Sequence, residues 1–126
     1  MKNLFHKISA SDFLFRFGLS IIFILNSLAA WFSPDEFLEL LDKSPLASAI
    51  ASPHFWIYII GINDGLLFLL ILFGRWRKGI AIWAAVWMIA VLYITNGEGI
   101  MEFIEHLGVL SFIAYYFAYR RPSAER

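Results

Sequence analysis

Cysteine is missing from this chain of 126 residues. Its absence excludes disulfides, thiol nucleophiles, zinc–thiolate sites and iron–sulfur clusters held by cysteine. The formal net charge of the chain is zero, because ten basic residues balance ten acidic ones. The attraction to phosphate that dominates nucleic-acid binding therefore has no basis in the composition, and we expect no nucleic-acid partner.

Apolar residues make up most of what is present. Hydrophobic residues account for 60% of the chain and aromatic residues for 18%, and the mean hydropathy is +0.70. A soluble domain of this length has too little interior to bury so much apolar surface. We therefore expect an all-α integral membrane protein in contact with lipid, folded as a single four-helix transmembrane bundle over residues 1–126.

Four segments have the roughly 20 mostly apolar residues that a membrane-spanning helix needs. They are Asp12–Ser33, Pro53–Gly74, Gly79–Thr95 and Gly99–Tyr119. The first follows a basic N-terminal stretch and lacks a small-residue cleavage site, so we expect a retained helix and not a signal peptide. Short turns at Gly74–Gly79 and Asn96–Gly99 predict that consecutive spans are antiparallel.

A short helix is predicted between the first two spans. Ser33 and Pro34 suit the N-cap and the first helical position, and acidic residues follow in the first turn. The sequence PDEFLELLDK places Phe37, Leu40 and Leu41 on one side and its acids on the other. That pattern is typical of an amphipathic helix lying in the membrane interface, and an ordinary surface helix fits it equally well.

Basic residues are concentrated on one side of the predicted topology. With four spans, one side receives nine of them and the other receives only Lys43; the nine are Lys2, Lys7, Arg16, Arg75, Arg77, Lys78, Arg120, Arg121 and Arg126. Lysine and arginine favour the cytoplasmic side, so both termini are predicted to be cytoplasmic. Arg16 lies inside the first span, and we expect its side chain to extend to the headgroups as an anchor.

Polar side chains inside the spans are the candidate functional groups, because an ionisable residue costs about 2.5–3.5 kcal/mol to insert. Asp64 lies near the midpoint of the second span, and Asn26 and His106 lie seven residues from the outer ends of theirs. Glu102, Glu105 and His106 share one face of the last helix through their i, i+3 and i+4 spacing. These groups are predicted to form one polar layer in the outer half of the bundle.

We assign roles within this layer by chemistry. The candidate catalytic, proton-handling groups are Asp64, Glu105 and His106, and the candidate ligand contacts are Asn26, Asn63 and Glu102. Structural explanations stay open: Asp64 can be a hydrogen-bonded, protonated acid, and the asparagines can join helices. The three ionisable groups of the last helix can be partly solvated near the outer surface.

The few histidines limit the cofactor classes. A di-metal site built on Glu-x-x-His pairs, or a haem with two histidine ligands, needs a second histidine deep inside the spans, but His54 lies at the end of its span and His6 on the opposite side. A single metal held by Asp64, Glu105 and His106 is the remaining metal hypothesis, and no metal, haem or iron–sulfur cluster is expected. An aromatic-rich interior with protonatable groups is better suited to a hydrophobic quinone.

A long stretch of the chain resembles a known family. The segment GLLFLLILFGRWRKGIAIWAAVWMIAVLYI, preceded by an acid, is similar to the second and third helices of the DoxX-like family. Its matching positions are Asp64, Gly65, Gly74, Arg75, Arg77, Met88 and Ala90. Glu105 resembles the acid early in the family's last helix, and RFGLSIIFI resembles its first-helix opening. Three departures indicate a divergent member. The acid of the second helix is aspartate, where the family more often has glutamate. Asn26 and Ala30 replace a small-residue and lysine pattern late in the first helix, and the glycine-rich ending is missing.

The resemblance implies a four-helix protein of the cytoplasmic (inner) membrane. DoxX-like proteins include a membrane subunit of a thiosulfate:quinone oxidoreductase, members of oxidative-stress complexes and assembly chaperones. Our leading hypothesis is thus a small membrane subunit for quinone-linked redox chemistry, with other membrane or redox-complex subunits as partners. The alternatives are a non-catalytic scaffold subunit that recruits partner helices through Gly61 and Gly65, and a transporter of protons, metal ions or a small solute that works as a homo-oligomer.

Overall fold

The computed structural model describes residues 9–45, 47–49, 52–95 and 99–119, and these residues form helices and short turns without a strand. The helices are α1 (Ala10–Phe32), α2 (Pro34–Lys43), α3 (Pro53–Phe73), α4 (Arg77–Ile94) and α5 (Ile100–Ala118), with one 3₁₀ turn at Ala47–Ala49. Residues 96–98 of the second predicted turn lie outside the described residues. So do Lys2, Lys7, Arg120, Arg121 and Arg126.

Four of these helices are long and apolar enough to cross a membrane, namely α1, α3, α4 and α5. They confirm the four predicted long apolar helices, and their ends differ from the predicted ends by at most two residues. Large apolar side chains are exposed on all four, for example Leu14 on α1, Leu69 on α3, Val86 on α4 and Ile104 on α5. This surface suits contact with lipid, since it would be unfavourable in water.

The predicted short helix is present as α2. It starts at Pro34 directly after Ser33, although the Ser33 side chain makes no capping hydrogen bond. Leu41 is buried against Ala30 at the end of α1 and Ile57 at the start of α3. The apolar side of α2 therefore packs on the bundle as its pattern predicts.

The long helices pack as two pairs. α1 lies along α3 and α4 lies along α5, whereas the two pairs meet through far fewer contacts, between α3 and α4 and between α1 and α5. The main core fills the space between the pairs with side chains from all four helices; its members are Leu19, Phe23, Leu67, Ile71, Ile80, Ala81, Ala84, Met88, Ile113 and Tyr116. Because the helices alternate in direction, one end of the bundle holds α2, and we call it the α2 end. The opposite end holds Arg16 and Arg77, and we call it the arginine end.

The α1–α3 pair packs closely because of the predicted small residues. A Cβ on Gly61 would lie 2.7 Å from the Trp31 ring, and a Cβ on Gly65 would lie 3.2 Å from the Ser27 hydroxyl. The Ser27 hydroxyl donates a 2.6 Å hydrogen bond to the Gly61 carbonyl. The small face of α3 is thus filled by the chain's own α1, so it is closed to a partner's helix.

The inward side of helix α5 is unevenly covered along its length. Its buried residues, Ile113 and Tyr116, lie toward the arginine end. Glu102 belongs to the same inward stripe, at seven-residue and eleven-residue spacings from Val109 and Ile113, yet it is exposed. The inward side of α5 is therefore covered near its C-terminus and open near its start.

Candidate functional site

The carboxyl group of Asp64 is buried between helices in the middle of α3. Asp64 is 2% exposed. The Asn63 amide donates to its Oδ1 at 3.3 Å, and the side chains of Asn26 and Trp87 also lie within hydrogen-bonding reach of the carboxyl group. Asn63 in turn accepts a 2.8 Å hydrogen bond from the Trp83 indole. Side chains from α1, α3 and α4 thus hydrogen-bond this acid in an apolar interior, which removes much of the cost of burying it.

A cavity lies beside Asp64 at the α2 end. It has a volume of about 70 Å³ and is partly open to the outside. Its polar lining comes from Asn26, Asp64, Trp87 and Thr95, and its remaining walls are apolar: Phe37, Leu40, Leu41, Ile60, Ala90, Val91 and Ile94. We call it the Asp64 pocket. A few polar groups at one side of an apolar cavity are typical of sites that bind a small amphipathic molecule.

The structure brings only part of the predicted polar layer together. Asn26 and Asp64 line the pocket and Asn63 donates to Asp64, whereas α5 contributes none of the pocket's lining residues. Glu102 and Glu105 are exposed on α5, and His106 is half-buried with its Nδ1 2.6 Å from the Glu102 carbonyl. This division follows from the packing in pairs, because α5 packs mainly against α4 and little against α1.

A single metal shared by the predicted acids and histidine has no support in this arrangement. Among the residues that the structure describes, no three His, Asp or Glu side chains are grouped closely enough to hold a metal ion.

A second buried polar cluster lies at the arginine end, and sequence analysis missed it. Arg16 Nε donates to Asp12 Oδ2 at 3.0 Å, and Arg77 Nη1 donates to Asp12 Oδ1 at 2.8 Å. Arg16 also donates to the Gly74 carbonyl at 2.9 Å, and Arg77 Nε donates to the Tyr116 carbonyl at 3.1 Å. This arginine cluster therefore joins α1, the end of α3, the start of α4 and the end of α5.

The prediction that Arg16 is a headgroup anchor is wrong. Arg16 is only 4% exposed, since its side chain turns inward to Asp12 and to carbonyls at the end of α3. Two arginines share one carboxylate here, and the partial negative charge at the C-termini of α3 and α5 offsets the excess positive charge. The Arg77 guanidinium also lies 4.2 Å from the Tyr116 ring centroid and 4.3 Å from that of Tyr119.

Only one sequence signal could have revealed this cluster. Asp12 and Arg16 are four residues apart on one helix, a spacing that brings opposite charges together. Arg77 joins them from 65 residues away, and no local pattern indicates such a contact. For the Asp64 pocket, by contrast, the intramembrane positions of Asp64 and Asn26 were a sufficient signal.

These features define a class of protein, a helical bundle suited to a membrane. Four apolar helices are long enough to span it, a pocket between helices has polar groups at one side, and an ionic cluster lies at one end. Comparison of the chain with protein-family models, with curated proteins and with solved structures found no match.

Proposed function

We propose that this chain is a small subunit of the cytoplasmic membrane that binds the ring of a quinone in the Asp64 pocket and exchanges protons with it. The observation that supports the proposal is Asp64 itself, an acid that is 2% exposed at mid-helix beside an open apolar cavity. The neutral amide of Asn26 and the indole of Trp87 are suitable donors for a quinone carbonyl. A carboxyl group beside them can accept from, or donate to, the hydroxyl of the quinol.

In this proposal a partner protein supplies or accepts the electrons. Converting a quinone to its quinol takes two electrons and two protons, and Asp64 can pass protons but not electrons. The partner is therefore a redox enzyme that reduces or oxidises the quinone ring while the ring is in the pocket. This division of work agrees with the resemblance to the DoxX-like family, which includes such a membrane subunit.

The orientation in the membrane belongs to the same proposal. The nine basic residues that the sequence assigns to the side of Arg16 and Arg77 support a cytoplasmic location for the arginine end and both termini. α2 then lies in the opposite interface, where its exposed Asp35, Glu36 and Glu39 face water. In this arrangement the Asp64 pocket lies in the half of the membrane away from the cytoplasm.

Carbodiimide labelling tests the site directly. A hydrophobic carbodiimide reacts with protonated carboxylic acids inside membranes, and mass spectrometry can follow Asp64 and the exposed Glu105 in one sample. We expect added benzoquinone to slow the labelling of Asp64 in a saturable way and to leave Glu105 unchanged. Equal slowing at both acids, or slowing at neither, would contradict the proposal.

A scaffold subunit is the second candidate, and the exposure of α5 favours it. The outer side of α5, opposite Ile113, carries Ile104, Leu107, Ala114 and the small Ser111, and all four are exposed. Small residues on an apolar helix allow close packing of a partner's helix. Under this hypothesis, Ala114→Trp releases the partner subunit from the purified complex whereas Asp64→Asn retains it; the opposite pattern would reject it.

A further inference from the structure

A groove runs along α1 on the side that faces α5. Its lining residues are Leu14, Phe15, Gly18, Leu19, Ile22 and Phe112, all but Phe112 from α1. It has a volume of about 260 Å³ and is open on one side. No charged or amide side chain lines it, so it suits a hydrocarbon chain and not a polar ligand.

The groove leads toward the Asp64 pocket. Phe15, Leu19, Ile22 and Asn26 follow one another at four-residue and three-residue spacings, which places them on one side of α1. The first three line the groove and Asn26 lines the pocket. At about 1.5 Å per residue, this stripe is about 16 Å long. One side of α1 thus passes from an apolar groove to a polar pocket.

Beyond Phe112, the α5 side of this path continues with a glycine, Gly108. Gly108 lies one turn from Phe112 on the same side of α5, and a Cβ built on it would have no atom within 4 Å. The same is true of Gly18 on the α1 side. Beyond Gly108, the inward Glu102 is exposed. The space between the two helices therefore stays open from the groove toward the α2 end.

We infer that this α1–α5 groove binds the apolar tail of the molecule whose ring occupies the Asp64 pocket, so that the ligand is a ring with a long hydrocarbon or isoprenoid chain. The inference rests on the proposed function and adds the tail site to it. A tail in the groove agrees with the confinement of the carboxyl and amide side chains to the pocket. It also gives the ring a sideways entry from the lipid, between α1 and α5.

Photolabelling combined with the carbodiimide assay tests the tail site. The probe is a benzoquinone with a decyl tail that ends in a diazirine, added to the full chain in lipid nanodiscs. In the wild type we expect the diazirine to label residues 14–22 and the segment around Phe112, while the ring protects Asp64. A fatty acid with the same diazirine serves as the control without a ring.

Matched variants separate the tail site from the ring site. Gly18→Phe and Gly108→Phe place a ring in the open groove, so groove labelling should be lost while protection of Asp64 by tail-less benzoquinone remains. Ala114→Phe puts the same ring on the outer side of α5 and should change neither readout.

Three outcomes overturn the inference or its basis. Labelling that persists in Gly18→Phe and Gly108→Phe, with Asp64 still protected, rejects the tail site alone. Equal groove labelling by the fatty acid shows an ordinary lipid site and also rejects it. If Asp64 is never protected in the wild type, the proposed ring site fails, whatever the groove binds.

Discussion

At the scale of single residues, burial separates Asp64 from the other predicted acids. Asp64 has amide and indole groups from three helices around it, whereas Glu102 and Glu105 are exposed. The same physical rule, that a buried polar group needs partners, explains both its position and the asparagines beside it. The acid and its donors are consequently a unit, and replacing one member affects the others.

Replacing Asp64 should therefore distinguish folding from function. Asp64→Asn keeps the size and the hydrogen-bonding oxygen, so we expect a stability near that of the wild type. Asp64→Leu leaves the surrounding donors unpaired and should lower the free energy of unfolding by about 1–3 kcal/mol. Denaturation in mixed detergent, followed by circular dichroism, measures both. An equal loss in the two variants would contradict this account of the site.

Glycine at position 61 is required by a neighbouring ring. Gly61→Leu must displace the Trp31 indole and disturb the Ser27 hydrogen bond, so we expect a loss of about 1–3 kcal/mol in the same assay. Gly18→Leu is the matched control, because that position has free space around it. If both variants were equally stable, the α1–α3 contact would be less close than described.

At the scale of helices, the arginine cluster fixes the arginine end while the α2 end stays open. The cluster contacts all four long helices, which otherwise pack in two pairs. A fold with one fixed end and one open end can admit a ligand sideways without unfolding. The exposed ion pair of Glu39 and Lys43 on α2, by contrast, holds no helices together.

Removing the shared carboxylate of the cluster should be costly. Asp12→Ala leaves two buried arginines without their common partner, and we expect a loss of about 3–5 kcal/mol in the free energy of unfolding. The control is Lys43→Ala, which breaks an exposed pair at the same i, i+4 spacing and should cost far less. Similar losses in the two variants would mean that the cluster does not stabilise the bundle.

Acid should weaken α2 locally. The hydrogen bond and positive charge of Lys43 lower the pKa of Glu39 below its ordinary value. Because the folded-state pKa is lowered, the pair's contribution is present above the ordinary pKa and is lost as the pH falls through the lowered one. Titration of Glu39 by nuclear magnetic resonance should show this shift, and Lys43→Ala should return the pKa toward its ordinary value. An unchanged titration curve would refute the pairing.

At the scale of the whole molecule, the sequence predicted the elements better than their arrangement. Span length and turn residues are local properties, so four helices and the start of α2 could be read with small errors. The pairing of α1 with α3 and the exposure of the start of α5 could not be predicted from the sequence. These helices are apolar on most sides, so no stripe of apolar residues identifies the inward face. The sequence therefore predicted one shared polar layer, but only Asn26, Asn63 and Asp64 lie together in the structure.

The absence of cysteine makes the proposed orientation easy to test. Single cysteines at Glu36 on α2 and Lys78 at the start of α4 occupy exposed positions at opposite ends. In sealed right-side-out vesicles, a membrane-impermeant maleimide should label Glu36→Cys, and it should label Lys78→Cys only after permeabilisation. The reverse order would place the arginine end outside.

The central claim is that a quinone ring binds at Asp64, and its most direct test is the quinone content of the native protein. The chain and its Asp64→Asn variant would be purified from native membranes in mild detergent, with extracted quinone and copurifying polypeptides measured on the same samples. We predict quinone in near-equal amount to the wild-type chain, little in the variant, and a redox enzyme among the polypeptides. A folded wild-type chain without quinone, or a variant that retains it fully, would contradict the claim.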